Sequence, residues 1–253
     1  MNLYFDIGNT RAKYCVADIA EKTTLNSPPP ISAIDNELIC TDWLEQNFKH
    51  IGQIFIASVK HNTTQAEIES WANNQTLPVT NISTEKERFG LINSYDDVSQ
   101  MGVDRWLAMV GAVDRYPNKT LIVVDAGTAT TLELVANSGR HIGGWILPGI
   151  QTMLDGLLGA TEKVTAQATV PSKLRLGNNT NECVNQALWA ATLGLIDRAK
   201  QLAAKQGLNV DHIIITGGNG ERLSQLFEDN CEYIPTLIFN GLQCYSRVTS
   251  DLT

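Results

Sequence analysis

Two short segments, Asp6-Ile7-Gly8-Asn9-Thr10 and Asp125-Ala126-Gly127-Thr128-Ala129, repeat one pattern 119 residues apart (125 minus 6), each at the end of an apolar run. A carboxylate, then glycine, then small hydroxyl or amide side chains turn a strand sharply back on itself. A chain that does this twice is constrained to two halves of similar plan. The preceding runs, Leu3-Tyr4-Phe5 and Leu121-Ile122-Val123-Val124, predict strands. Alone, the first segment reads as a turn after an edge strand; its recurrence points to one phosphate-handling device used twice. Glycine lets backbone N–H groups approach an anion, and Asn9, Thr10 and Thr128 add short polar contacts. The acids repel phosphate and suit a metal ion or its water shell. Two such loops facing each other would clamp a nucleoside triphosphate and its cation.

The rest of the chain supports a duplicated α/β plan. Strands and turns are expected through Ala20, then a Pro28-Pro29-Pro30 loop, a helix around Asp35 to Asn47 and a strand at Ile54-Phe55-Ile56. Helical spacing returns at Gln65 to Asn73 and after Asp104, where Trp106, Met109, Val110 and Val113 recur at intervals of three and four. Pro117-Asn118 breaks that helix, so the linker is expected at Tyr116 to Lys119, dividing the chain into residues 1–118 and 119–253. In the second half, strands are expected at Leu121 to Val124, Thr131 to Val135 and His141 to Ile146, with Asn137-Ser138-Gly139 turning between the last two. Val184, Leu188, Ala191, Leu195 and Ala199 mark a long helix that Asn179 or Thr180 would cap. A strand at Ile213-Ile214-Ile215 ends in Thr216-Gly217-Gly218 and matches Ile54 to Ile56 of the first half.

Composition narrows the function class. A length of 253 residues accommodates two compact lobes. A formal charge of −8 argues against a duplex nucleic-acid binder and favours a small-molecule substrate. Five cysteines, widely spaced and without a C-x-x-C pair, signal neither a disulfide framework nor a zinc site, so a reducing cytoplasm is expected. No signal-peptide pattern or run of eighteen apolar residues suggests export or a membrane. His50, His61, His141 and His212 have no metal-ligand spacing and are assigned packing or surface roles.

Neither G-x-x-x-x-G-K-[ST] nor G-x-G-x-x-G is present, so the two commonest glycine-rich nucleotide signatures are absent. Lys13, two strand positions beyond Arg11, would share its face and offer a cation to phosphate, though an exposed strand lysine is equally ordinary. Gly102-Val103-Asp104-Arg105 opens a helix. Asp104 there either complements the macrodipole or takes a proton from a substrate hydroxyl. Arg105 would neutralise it, hold a substrate acid group or meet phosphoryl charge. Gly143-Gly144-Trp145-Ile146-Leu147-Pro148-Gly149 is either a bent strand and turn or a place where backbone passes close to a ligand or another subunit. Thr216-Gly217-Gly218-Asn219-Gly220 either turns or makes room for an adenosine moiety.

Taken in order, Asp6 to Thr10, Gly102 to Arg105, Asp125 to Ala129 and Gly143 to Gly149 resemble the motif set of type III pantothenate kinases, and Tyr95 and Thr180 add two further family positions. The resemblance spans nearly the whole chain; Val98 stands where the family often has proline. It implies the acetate kinase, sugar kinase, Hsp70 and actin fold: α/β, with two tandem ribonuclease-H-like lobes and a central ATP cleft. Carried over by motif, Asp6, Ile7, Gly8, Asn9, Thr10, Arg11, Ala12, Lys13 and Thr128 would contact ATP. Tyr95, Gly102, Val103, Asp104, Arg105 and Thr180 would contact pantothenate, with Asp104 as base. Asp125 would bind a monovalent cation, potassium or ammonium, beside Mg2+-ATP. The family's homodimers imply a second copy as partner, with the interface in the second half and Thr180 serving the partner's pocket. The resemblance implies ATP-dependent phosphorylation of pantothenate to 4'-phosphopantothenate, the first step of coenzyme A biosynthesis. The alternatives are a non-catalytic transcriptional accessory protein of the family and a kinase of the same superfamily with another small-molecule acceptor.

Overall fold

The computed structural model describes residues 1–17, 30–59, 63–227 and 229–250. Ala20, Pro28, Pro29 and His61, named above, lie outside them. Along the chain the elements run β1 (Asn2–Ile7), β2 (Arg11–Ala17), β3 (Ser32–Asp35), α1 (Thr41–Asn47), β4 (Gln53–Ser58), α2 (Thr63–Asn74), β5 (Val79–Ile82), β6 (Glu87–Arg88), β7 (Leu91–Ile92) and α3 (Val103–Arg115). They continue through β8 (Leu121–Ala126), β9 (Ala129–Val135), β10 (His141–Pro148), α4 (Ile150–Gly159), α5 (Thr180–Lys205), β11 (His212–Thr216), α6 (Gly220–Leu226), β12 (Glu232–Tyr233) and α7 (Leu237–Ser250). The fold is mixed α/β and forms two compact units. The first takes the described residues of 1–89, Tyr95–Asp114 and the chain from Thr236 onward; the second takes Gly90–Ser94 and Arg115–Pro235.

Each unit carries a five-stranded sheet of the same plan, β3-β2-β1-β4-β5 in one and β10-β9-β8-β11-β12 in the other. In each, the first strand pairs antiparallel with the second and parallel with the fourth. The duplicated turn is therefore matched by a duplicated topology. β1 is central and buried along its whole length, which its apolar run requires. Leu3, Phe5 and Ile7 pack with Leu44, Phe48, Ile68 and Trp71 of the α1–α2 side. Tyr4 points the other way, stacks on Phe55 at 5.3 Å and donates a hydrogen bond to Ser246 Oγ of α7 (2.8 Å). In the second unit, Ile122 and Val124 pack with Trp189, Leu193 and Ile196 of α5. Among the described residues no helix is long and apolar enough to cross a membrane.

Two expectations are corrected. Asp35 ends strand β3 and caps only a 3-10 turn at Asn36–Leu38, and extended Ile39 and Cys40 break it from α1, which begins at Thr41. On α5, Ala191 is exposed, and the buried stripe runs through Val184, Leu188, Trp189, Thr192, Leu193 and Ile196.

In the first unit, α3 and α7 cross closely at paired glycines. A Cβ on Gly241 would overlap Leu107 O and lie 2.9 Å from Leu107 C, and one on Gly111 would overlap Leu237 O. Both obstacles are backbone and cannot rotate away. Gly241→Ala is expected to lower unfolding free energy by about 1–3 kcal/mol. A urea midpoint equal to that of the unaltered chain would show that the crossing is loose.

Candidate active site

The first unit holds one cluster at the β1–β2 hairpin. Asp6 alternates with Phe5 and Ile7, so it shares the sheet face of Tyr4, where it is 8% exposed. Lys13 lies directly across the strands from Asp6, which puts the two side chains on one face; Lys13 is exposed. Between them the chain turns tightly. Gly8 N–H donates to Arg11 O (3.0 Å), and a Cβ at Gly8 would lie 3.2 Å from that oxygen. Asn9 and Thr10 are exposed. Asn36, which sequence reasoning passed over, holds the turn: its side-chain amide donates to Gly8 O (2.9 Å) and its backbone N–H to Thr10 O (2.9 Å). Arg11 pairs with exposed Asp35 at 3.0 Å, a contact worth little in itself. Ile7 and Ala12 are fully buried in the core, so only their backbone groups are available to a ligand.

A second cluster of this unit forms at the start of α3. Asp104 Oδ1 accepts from Arg105 N–H at 2.8 Å, turning the carboxylate back over the helix N-terminus. Gly102 makes this possible, because a Cβ there would overlap Asp104 Oδ1. Arg105 is 5% exposed; its Nη1 donates to Tyr95 Oη (3.0 Å), and its Cζ lies 5.5 Å from the Tyr95 ring centroid. Tyr95 O accepts from Lys86 Nζ at 2.8 Å, a contact without a local sequence signal. Val98 opens a single 3-10 turn whose cap, Asp97, accepts from Ser99 N–H (3.0 Å) and Ser99 Oγ (2.6 Å). Those bonds hold the Asp97 carboxyl below its ordinary range. Val103 is buried, leaving Asp104, Arg105 and Tyr95 as the polar group around Gly102.

The second unit gathers its own residues around the repeated turn. Asp125, in β8, lies across from Thr131 of β9 and beside Thr216 of β11. Gly217 adopts φ +89° against it, and a Cβ there would overlap Asp125 Oδ1 and lie 2.7 Å from Ala126 backbone atoms. Thr128 is exposed, and its carbonyl accepts from Gly149 N–H (2.9 Å) and Thr152 Oγ1 (2.8 Å). Asn219 N–H donates to Ala126 O (2.9 Å). The turn is thus braced by the glycine segments that sequence left ambiguous. Thr131 and Thr216, in register with Asp125 on the neighbouring strands, carry hydroxyl oxygens, which beside a carboxylate could serve a hard cation. Among the described residues no three His, Cys, Asp or Glu side chains cluster as a metal site. Thr180 is exposed at the first position of α5, and Asn179 is the cap, accepting from Glu182 N–H at 3.0 Å. All five cysteines are free, and burial pushes the Cys15 and Cys244 thiols up to about 12.

Two units of one sheet plan, each turning at an Asp-containing glycine loop after its first strand, define the fold of the actin, Hsp70 and sugar kinase group. A protein from Sinorhizobium meliloti described as a 2-dehydro-3-deoxygalactonokinase superposes with TM-score 0.56 at 12% identity, over 98% of this chain and 96% of that one. One from Campylobacter jejuni, described as a Baf family transcriptional activator, does so with TM-score 0.60 at 22% identity, over 98% and 99%. At these identities the likeness is one of fold. The family model for type III pantothenate kinase matches residues 2–202, and the chain belongs to that family. Among curated relatives, the type III pantothenate kinase of Colwellia psychrerythraea is 34% identical over 97% of this chain and 100% of its own length. That of Pseudoalteromonas translucida is 31% identical over 99% and 98%.

Proposed function

We propose that this kinase transfers the γ-phosphoryl group of ATP to the primary hydroxyl of pantothenate, giving 4'-phosphopantothenate and ADP and opening coenzyme A biosynthesis. The observation that carries this reading is the Asp104 carboxylate, anchored over the first turn of α3 beside the Tyr95–Arg105 pair, in a chain of this family. Asp104 takes the hydroxyl proton. The freed oxygen attacks the γ-phosphorus, the bond to the β,γ-bridging oxygen breaks, and its electron pair leaves with ADP. Backbone N–H groups of Asn9 and Thr10, with Lys13 near them, meet the phosphate charge, and Thr128 contacts ATP from the second unit. Arg105 and Tyr95 hold the acceptor, with Gly102 and Val103 lending backbone. Mg2+, when bound with ATP, neutralises charge on the phosphates. Thr180 serves the pocket of a second copy in a homodimer, and free cysteines suit a cytoplasmic protein.

Asp125 holds a monovalent cation beside the nucleotide in this scheme. Asp125→Ala is expected to raise the KM for ATP about tenfold, the size of one charge-assisted contact, and to flatten the response to potassium. A potassium curve identical to that of the unaltered chain would remove Asp125 from the role. The reaction itself is tested by ADP release with ATP, magnesium and pantothenate, with and without potassium. Absence of pantothenate-dependent release despite ATP binding would sink the substrate assignment and direct a screen of other acceptors.

A further inference from the structure

His141 is wholly buried, and both ring nitrogens meet polar side chains. Nε2 lies 2.9 Å from Glu133 Oε2 and Nδ1 lies 3.0 Å from Ser94 Oγ; Glu133 is 1% exposed. The ring thus bridges a buried carboxyl and a serine hydroxyl, one through each nitrogen. Gly144, on β10, makes room for the pair, because a Cβ there would overlap Glu133 Oε2. The same segment is pinned by backbone. Ile92 N–H donates to Gly139 O (2.9 Å), and Gly139, at φ +79°, packs so closely that an added Cβ would overlap Gly90 O.

Ser94 itself is exposed, so without His141 its hydroxyl would turn to water. Instead a surface serine is tied to a buried imidazole and carboxylate, an arrangement that is costly to bury and rigid once every member is satisfied. Ser94 is also the residue directly before Tyr95. We propose that Glu133 and His141 are positioning residues that act through Ser94 to set the backbone entering Tyr95, and so the aim of the Tyr95 side chain at the acceptor. The inference rests on the pantothenate-kinase reading above for what Tyr95 touches. The tether is a property of the second unit alone, formed by Gly90–Ser94 and the β9–β10 hairpin.

The test is steady-state kinetics of Ser94→Ala, Ser94→Thr and Glu133→Gln, together with the 19F spectrum of each with 3-fluorotyrosine placed at position 95. Ser94→Ala is expected to raise the KM for pantothenate about five- to tenfold, the worth of one hydrogen bond, with the KM for ATP unchanged. Ser94→Thr, which keeps the hydroxyl, is expected to restore the pantothenate KM. The Tyr95 signal is expected to be single in the unaltered and threonine forms and split in the alanine form. Because Ser94 is exposed, its variants report even where Glu133→Gln fails to fold. An unchanged pantothenate KM in Ser94→Ala would overturn the proposal, as would covalent labelling of Ser94 by a fluorophosphonate, which would make it a nucleophile instead. If the unaltered chain does not phosphorylate pantothenate, the functional reading fails; a Tyr95 signal left single by Ser94→Ala would separately remove the tether.

Discussion

Asp104→Asn is expected to lower kcat by about 10²–10⁴-fold, the range for loss of a positioned general base. The substitution is chosen because it leaves almost everything else in place. An asparagine oxygen still accepts from Arg105 N–H, as Asp104 Oδ1 does at 2.8 Å, and Gly102 still leaves the space that either side chain needs. Only the ability to take up a proton disappears. Nucleotide affinity, measured by calorimetry, stays near that of the unaltered chain, since the proposed ATP contacts lie on the hairpin at Gly8–Thr10 and around Thr128. The competing role for Asp104, as a negative charge complementing the helix dipole, makes the opposite forecast: a stability loss under about 1 kcal/mol with turnover intact. ADP release and thermal unfolding on the same preparation separate the two, and retained turnover with a lowered Tm would leave Asp104 as helix charge only.

The second large effect is expected at Gly149→Ala. Gly149 sits where β10 passes into α4, and a Cβ there would overlap Gly127 O and lie 2.6 Å from Thr128 O and 2.9 Å from Thr128 C. None of these atoms can rotate aside, so the helix start and the 125–129 turn must separate. That costs about 1–3 kcal/mol of stability as overpacking. It also disturbs the bonds from Gly149 N–H and Thr152 Oγ1 to Thr128 O, so the KM for ATP should rise along with the fall in urea midpoint. Gly156 is the internal control. It lies in α4 with nothing within 4 Å of an added Cβ, so Gly156→Ala should stabilise by about 0.4–1 kcal/mol. Equal behaviour of the two variants would mean that α4 is not seated on the turn.

Much of this architecture is readable in the chain wherever burial imposes a period. The apolar runs at Leu3 to Phe5, Ile54 to Ile56, Leu121 to Val124 and Ile213 to Ile215 become central strands of two sheets. Asn137-Ser138-Gly139 turns where expected, with Gly139 at φ +79°. Reading fails where a partner decides. Ser32–Asp35 is mostly exposed and has no strand period of its own; it is a strand because β2 pairs with it and Arg11 meets Asp35. On α5, alanines mimic a buried stripe, and Trp189, Thr192 and Leu193 displace Ala191 from it. At the site, the two Asp-Gly turns are legible as a repeat, whereas the brace by Asn36 and the hold of Lys86 on Tyr95 O depend on residues brought from elsewhere. The steric need for Gly102 beneath Asp104 likewise emerges only from coordinates.

The return of α7 to the first unit bears on how the molecule is made. Tyr4, near the start of the chain, closes its hydrogen bond on Ser246, and Trp106 Nε1 donates to Tyr245 Oη. On the ribosome, Arg115–Pro235, the bulk of the second unit, emerge as one block while the first unit still lacks its covering helix. At about 5–20 residues per second, the face around Tyr4 and Phe55 waits several seconds for α7, exposed to chaperones and to other nascent chains. Translation that stops after the second unit would therefore leave an intact C-terminal block joined to an N-terminal one without its lid, so a nonsense codon late in the message would damage the part synthesised first.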